Sequence, residues 1–336
     1  MADRTDVLKK ILKQLYREKR PLSQSEIQKR LNISKSYLSE LLKYLEEKNK
    51  IIRTKGEGKT KKVMLKRNYE TSRSFNIGVL KSTEYIPVTV WLGKISGEIE
   101  LKVHFYNSTD RMFMHMDSGL LQAVCAPLVT LITNFIVRRN FRIAFGLGYG
   151  GSYIFANEKS KNKGLLTSEN SSMSLLSGRS FAKDVFPKIS FSNPATGLKK
   201  FMDGDATYIS IWEPYASYLR QRGYSVVTDY KSVMGEQTCC ALAFSERAIH
   251  NSLPNIANSA SAEYPPHRST DYEAIISKFS KSLKIEKSII EDSLNFYTFR
   301  KIEIDISAVA ATGFNVTEDL MRDMISGYLR GKRTQP

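Results

Sequence analysis

Leu22-Ser-Gln-Ser-Glu-Ile-Gln-Lys-Arg-Leu-Asn-Ile-Ser-Lys-Ser-Tyr-Leu-Ser-Glu-Leu-Leu-Lys-Tyr-Leu45 decides how the first part of this chain folds. Ser23 followed by Glu26 has the form of a capping box, so a helix is expected to start there. Ile27 and Leu31 give this short second helix its apolar face. Asn32-Ile33 reads as a tight turn, and Ser34 opens a third helix. Leu38, Leu41, Leu42 and Leu45 fall at i, i+3, i+4 and i+7, which points that helix inward. Its opposite face then shows Ser34, Lys35, Ser36, Ser39, Glu40 and Lys43. Upstream, Val7, Ile11, Leu12 and Leu15 recur at helical spacing and predict a first helix over about residues 3–19. Pro21 ends it, because proline cannot continue the hydrogen-bond ladder. Downstream come a short strand (Ile51-Ile52-Arg53), a basic Gly-rich tip (Lys55-Gly56-Glu57-Gly58-Lys59) and a return strand (Val63-Met64-Leu65). Three helices and a basic hairpin make a winged helix-turn-helix, expected to occupy residues 1–68.

The pattern from Leu22 to Leu45, within a match over residues 5–67, resembles the DNA-binding domains of bacterial and archaeal transcription regulators. In such domains the third helix enters the major groove and its N-terminal residues meet base edges. The resemblance implies groove contacts from Lys35, Ser36, Ser39 and Lys43. It implies phosphate contacts from Lys55, Lys59, Lys61 and Lys62 on the wing, which position without specifying. A winged helix can also serve protein contacts; the basic wing argues for double-stranded DNA. Paired half-sites make a homodimer the geometric expectation.

Charge supports this reading. Of 336 residues, 51 are Lys or Arg and 34 Asp or Glu, a net of +17. Residues 1–70 hold 20 of the basic and 9 of the acidic residues, a net of +11, leaving +6 for the remaining four fifths. A compact basic module on a near-neutral body suits a polyanion, because each phosphate contact releases a condensed counterion. The apolar fraction of 41% and charged fraction of 25% are ordinary for globular chains and exclude disorder and collagen-like repeats. The longest apolar run, Leu120 to Val137, is broken by Gln122, Pro127 and Asn134, too early for a membrane span. The mixed-charge N-terminus leads into an amphipathic helix, so no signal peptide is expected. Three cysteines cannot build a disulfide framework and fit a reducing interior. Cytoplasmic location and no membrane partner follow as expectations.

The body begins with a buried-type strand, Phe75 to Leu80, and a polar loop, Lys81 to Tyr85. A helical stretch to Gly93 and a second strand, Ile99 to Tyr106, come next. That order predicts a parallel α/β sheet. Leu120 to Val137 reads as a buried helix pair, and Phe141 to Phe145 as a strand running into Gly146-Leu-Gly-Tyr-Gly-Gly-Ser152. Asn157 to Ser172, polar and rich in Lys, Asn and Ser, reads as a surface loop. The glycines from Gly146 to Gly151 lack the spacing of a dinucleotide loop and the Gly-Lys-Ser/Thr of a P-loop; a tight turn is the better reading.

Phe201-Met-Asp-Gly-Asp-Ala-Thr-Tyr-Ile-Ser-Ile-Trp-Glu-Pro-Tyr-Ala-Ser-Tyr-Leu-Arg-Gln-Arg-Gly223 is similar to a signature of type 2 periplasmic-binding-protein folds. It most resembles the subgroup whose transport members bind nitrate, sulfonates or thiamine-pyrimidine precursors. The likeness covers residues 74–325, with a short segment between Ser192 and Asp203 and with His115-Met-Asp-Ser-Gly119 replacing the usual first-lobe motif. It implies an α/β architecture of two lobes with ligand between them, in a domain over residues 69–330. Lobe one would take about 74–155 and 240–330, and lobe two about 165–235. Polar loops at strand carboxyl ends face such a cleft. These are Ser82, Thr83, Glu84 and Tyr85; Ser118 and Gly119; Gly150, Gly151 and Ser152; and, from lobe two, Ser192, Asn193, Thr196, Trp212 and Glu213. Ser192 to Gly197 is expected to open a helix whose free N–H groups suit an anion. Trp212 can equally pack the hinge, and Tyr85 the core.

Catalytic signals are missing. No nucleophile has a nearby histidine, and no Gly-Arg-Gly-Arg loop of the biotin-ligase type is present. His104, His115, His250 and His267 show no ligand spacing. Cys239-Cys240 lacks a second pair and reads as buried packing, so neither metal nor cofactor is expected. A reader followed by a sensor resembles LysR-type regulators, though the linker from Lys66 to Ser74 is short and lacks their long dimerising helix. The expectation is a transcription regulator, not an enzyme, responding to a small anionic or polar molecule. The alternatives are a DNA binder with a ligand-free body and an enzyme with a DNA-binding head.

Overall fold

The structure, a computed structural model, describes residues 4–18, 21–48, 50–55, 61–65, 74–96, 99–168, 171–179, 187–251, 263–266 and 270–325. The chain divides into two compact units, Met1–Phe75 and Asn76–Pro336. The domain boundary expected after residue 68 falls among residues 66–73, outside the described residues.

The first unit runs α1 (Arg4–Glu18), β1 (Leu22–Ser23), α2 (Gln24–Leu31), α3 (Lys35–Glu47), β2 (Ile51–Lys55) and β3 (Lys61–Leu65). The capping box forms: the Glu26 amide donates to Ser23 Oγ at 3.2 Å, and the Ser23 amide to Glu26 Oε2 at 2.7 Å. Ser34 caps α3 by accepting from the Tyr37 amide at 3.2 Å. Such caps are each worth about 1 kcal/mol. Asn32, at φ 49°, makes the left-handed turn between the two helices. Val7, Ile11, Ile27, Leu38, Leu41 and Leu42, with Val63 from the wing, form one core. One element lies outside the sequence reading: Leu22 and Ser23 pair antiparallel with Val63 and Lys62, adding an edge to the wing and giving a sheet of order β1-β3-β2.

β4 (Ser74–Leu80) runs into the second unit, followed by α4 (Ile86–Ile95), β5 (Glu100–Tyr106), α5 (Thr109–Asp117), β6 (Ala123–Pro127), α6 (Leu128–Arg138) and β7 (Phe141–Gly150). Then come β8 (Ser152–Ala156), β9 (Leu165–Thr167), α7 (Ser172–Arg179), β10 (Lys188–Ser190), α8 (Pro194–Met202), β11 (Tyr208–Trp212), α9 (Tyr215–Gln221) and β12 (Ser225–Asp229). After α10 (Tyr230–Met234), β13 (Cys240–Ser245) and β14 (Tyr297–Ile302) complete two sheets, ordered β14-β7-β13-β6-β4-β5 and β10-β9-β11-β8-β12. Each sheet with its helices is a lobe, so the architecture is a winged helix followed by a two-lobed α/β fold. β4 pairs in parallel with β6, but β13 runs antiparallel to both β6 and β7 because the chain is returning from the other lobe. Phe113 and Phe135 pack on Phe141 at 5.3 and 5.6 Å on β7 of the first sheet. Trp91, Phe145 and Tyr264 form a second aromatic cluster, with rings 5.4 to 6.3 Å apart.

Three expectations need correction. Leu120 to Val137 is not a helix pair: Ala123–Pro127 is a strand buried on both faces, which hides the alternation that marks half-buried strands. The presumed loop from Asn157 to Ser172 contains β9, a fully buried strand paired parallel with β10 and β11. Lobe one ends at Gly150 and not near 155, because β8 pairs with β11 and β12 in the second sheet. The crossover is Gly151, at φ 66°, where a Cβ would meet the Tyr297 ring at 2.1 Å; only glycine lets the chain pass.

Candidate functional site

In the first unit, Lys35, Ser36, Ser39 and Lys43 are all exposed on the face of α3 opposite its four buried leucines. Glu40 on this surface is paired with Arg4 at 3.3 Å, which offsets the one acidic charge there. Lys61 and Lys62 stand exposed at the start of β3, and Lys55 lies opposite Lys61 in the ladder. Lys59 lies outside the described residues. Glu46 on α3 accepts from Arg53 Nε at 2.9 Å, tying the wing to that helix. That hydrogen bond holds the Glu46 carboxyl below its usual range.

In the second unit a cavity of about 250 Å³ lies between the lobes, near the small end of ligand pockets. The turn after β4 supplies Ser82, Glu84 and Tyr85; the loop after β10 supplies Ser192; β8 and β11 supply Ser152 and Trp212. Six expected residues (Ser82, Glu84, Tyr85, Ser152, Ser192 and Trp212) thus meet in one wall. Eight do not, Gly119 and Gly150 among them. Thr83 is buried and accepts from Ser293 Oγ at 2.9 Å. Ser118 caps α5 and donates to the His115 carbonyl at 2.9 Å. Gly151 is the crossover. Asn193 caps α8 by accepting from the Ala195 amide at 3.0 Å, and Thr196 is exposed on that helix.

Glu213 is the last of these. Its carboxylate accepts from the Ser217 amide at 2.9 Å and is paired with Arg220. Burial pushes its pKa up against the pull of that guanidinium. Its amide donates to the Gly151 carbonyl at 2.8 Å, and its own carbonyl accepts from the Thr83 amide at 3.4 Å. Glu213 is therefore engaged at the junction of the two lobes and not in the cavity wall. Trp212 serves both roles: it lines the cavity, stacks on Phe191 at 6.2 Å, and donates its indole N–H to the Lys81 carbonyl at 2.9 Å in the other lobe.

Sequence reasoning missed Asn107, Ser108, Thr109 and Asp110, which enter the wall where β5 gives way to α5. The rule that polar loops at strand ends face the cleft applies to them directly. It also missed Ser168, Ser171 and Ser172, because β9 was hidden, and Cys239 and Cys240. The cysteines are buried, as their reading had it, yet they also form part of the cavity wall. Cys239 Sγ donates to both Glu84 oxygens at 3.2 Å, and Tyr85 Oη lies 3.3 Å from Cys240 Sγ. Burial raises Glu84 to about 7, although the cysteine hydrogen bonds oppose it. Among the described residues the wall carries eight serines and only three charged side chains, Lys81, Glu84 and Asp110.

Comparison with known proteins agrees with both halves. Residues 7–63 match the MarR family, so the first unit carries a winged helix of that type. The body is similar in fold to the ligand-binding component of an ABC-type import system from Staphylococcus aureus, solved with zinc bound. That match has TM-score 0.59 at 13% identity, covering 76% of this chain and 97% of that one. The aliphatic sulphonate binding protein SsuA from Escherichia coli gives 0.54 at 14% identity, over 71% and 84%. The nitrate-binding protein NrtA from Synechocystis PCC 6803 gives 0.51 at 14%, over 69% and 74%. At these identities the likeness is one of fold. None of the curated proteins compared with the chain matches it. Among the described residues, no helix is long and apolar enough to cross a membrane.

Proposed function

We propose that this chain is a cytoplasmic, non-enzymatic transcription regulator that responds to a small polar molecule held between the lobes of its body. Residues 1–68 would read DNA as a homodimer, with Lys35, Ser36, Ser39 and Lys43 in the major groove and Lys55, Lys59, Lys61 and Lys62 on phosphates. Residues 69–330 would sense the ligand. The observation that carries the reading is the polar cavity between two lobes, on a chain that also holds a MarR-type winged helix. A ligand that binds the closed arrangement better than the open one shifts their populations, and DNA affinity moves with them if the two states differ in how they present the winged helices. Ser82, Tyr85, Ser152, Ser192 and Trp212 are the proposed contacts. One lysine against two carboxylates in the wall favours a polar ligand over an anion.

The test uses the full chain and its own upstream DNA. Fluorescence anisotropy gives affinity across a salt series, and thermal unfolding is followed against a panel of small anions, amino acids, sulfonates and heterocycles. DNA binding together with a panel member that raises the melting point and changes DNA affinity supports the reading. A ligand at a hundred times its dissociation constant adds about 2.7 kcal/mol. DNA binding with silence across the panel favours a ligand-free body; no DNA binding at low salt overturns the reading.

A further inference from the structure

Three acidic groups converge where the cavity wall meets β13. Cys239 and Cys240 are buried, as is Glu84, and their ligand atoms all lie within 4.8 Å of one another. The two sulfurs are 3.6 Å apart, and Cys239 Sγ is 3.2 Å from each Glu84 oxygen. All three residues line the cavity, so one side of the cluster is open to whatever fills it. Among the described residues no Lys or Arg pairs with Glu84, although most buried carboxylates have a cation or several N–H donors.

We propose that Glu84, Cys239 and Cys240 form a site for a thiophilic divalent cation, Zn²⁺, with a fourth coordination position facing the cavity. The geometry fits. In a tetrahedral zinc site, bonds of about 2.3 Å to sulfur and 2.1 Å to oxygen place two sulfurs about 3.8 Å apart and sulfur and oxygen about 3.6 Å apart. The Cys239–Cys240 and Cys239–Glu84 spacings sit just inside those edges, and all three ligand atoms lie within 4.8 Å of one another, so a small side-chain movement admits the ion. Two sulfurs and one carboxylate select zinc over magnesium or calcium, which prefer all-oxygen shells. Three protein ligands with an open position is the arrangement of zinc that binds an exchangeable group.

The scaffold is already in place. The Cys239 carbonyl accepts from the Leu128 amide at 2.8 Å in one lobe and from Ser172 Oγ at 2.9 Å in the other. Glu84 sits in the 3-10 turn Thr83–Tyr85, whose Glu84 amide donates to Ser82 Oγ at 3.3 Å. An ion here would be held between the turn after β4 and the start of β13, two strands of lobe one's sheet separated by β6, where Ser172 of lobe two meets the Cys239 carbonyl. The inference goes beyond the organic ligand proposed above and does not require it.

The test takes the full chain, reduced and stripped with chelator, and measures bound zinc by equilibrium dialysis and sulfur-to-metal charge-transfer absorption with Cd²⁺. The wild type should bind one ion per chain with the absorption of two thiolates. Cys125→Ser, at the third and more distant cysteine, should leave both unchanged. The double variant Cys239→Ser/Cys240→Ser should lose the absorption, and Glu84→Gln should weaken zinc binding by at least 10-fold. No absorption in wild type with its thiols verified as reduced overturns the proposal, and this arm needs no variant to fold. Stoichiometric zinc retained by a folded double variant overturns it equally. A protein that takes cadmium but ignores the small-molecule panel keeps this site and loses the ligand reading; the opposite pair of results does the reverse.

Discussion

Trp212 of β11 donates its indole N–H to the carbonyl of Lys81 at 2.9 Å, a hydrogen bond from the second lobe to the first beside the cavity. Because the same ring also lines the cavity and stacks on Phe191, lobe contact and cavity wall share one side chain. Trp212→Phe keeps an aromatic face and removes the donor. A net cost of about 1 kcal/mol in unfolding free energy is expected from one such bond. Amide exchange should rise at residues 81–85 while that of the α3 amides stays as it was. Unchanged exchange at 81–85 would mean that the bond does not hold the lobes together.

Glu213 and Arg220 make a different prediction. The glutamate is fully buried and the arginine retains 24% of its side-chain exposure, stacked 3.8 Å from the Phe296 ring centre and 4.5 Å from that of Tyr153. Glu213→Gln leaves that guanidinium half-enclosed without its counter-charge. Urea unfolding of the second unit should lose about 3 kcal/mol, the lower part of the range for breaking buried pairs, since Arg220 still reaches water. The double change Glu213→Gln/Arg220→Met, which removes both charges, should recover most of the loss. A ligand response that vanishes while stability stays intact would instead make Glu213 a contact residue.

These two neighbours also show where sequence stops speaking. Trp212 and Glu213 are adjacent in the motif that carried the fold resemblance, yet one turns to the cavity and the other to the hinge, and only the course of β11 into α9 decides which. The winged helix was legible because its signals are local: a Ser and a Glu three residues apart, and leucines on a 3.6-residue period. The body hid what depends on partners. Ala123–Pro127 and Leu165–Thr167 are buried on both faces, so they carry no alternation. Glu84 and Cys239 are 155 positions apart, and no spacing rule joins residues brought together by a strand returning from the other lobe.

On the first unit, base-edge and phosphate roles separate by salt. Lys62→Ala, at the exposed start of β3, should weaken binding to every DNA sequence alike and reduce the slope of log affinity against log salt by about 1. Ser36→Ala should leave that slope alone and change which sequences are preferred. Anisotropy titrations on the upstream DNA and on a scrambled duplex check both. If Lys62→Ala altered preference and Ser36→Ala altered the slope, the groove and wing assignments would be reversed.

The tie between α3 and the wing should depend on pH. Arg53 hydrogen-bonds to Glu46 and holds its carboxyl below the usual 4.5. For a depressed acid the folded state binds fewer protons, so its contribution is complete above 4.5 and disappears as pH falls through the lowered value. The Glu46 side chain is 39% exposed, so solvent screening keeps the contribution to about 0.5 kcal/mol. Thermal unfolding of wild type and Glu46→Gln should therefore differ near neutrality and converge in strong acid. DNA affinity should follow the same course, because β2 and β3 carry the wing lysines and Arg53 is their anchor on α3. A difference that grows as pH falls would mean that Glu46 stabilises the fold in its protonated form, and that Arg53 is not what holds the wing.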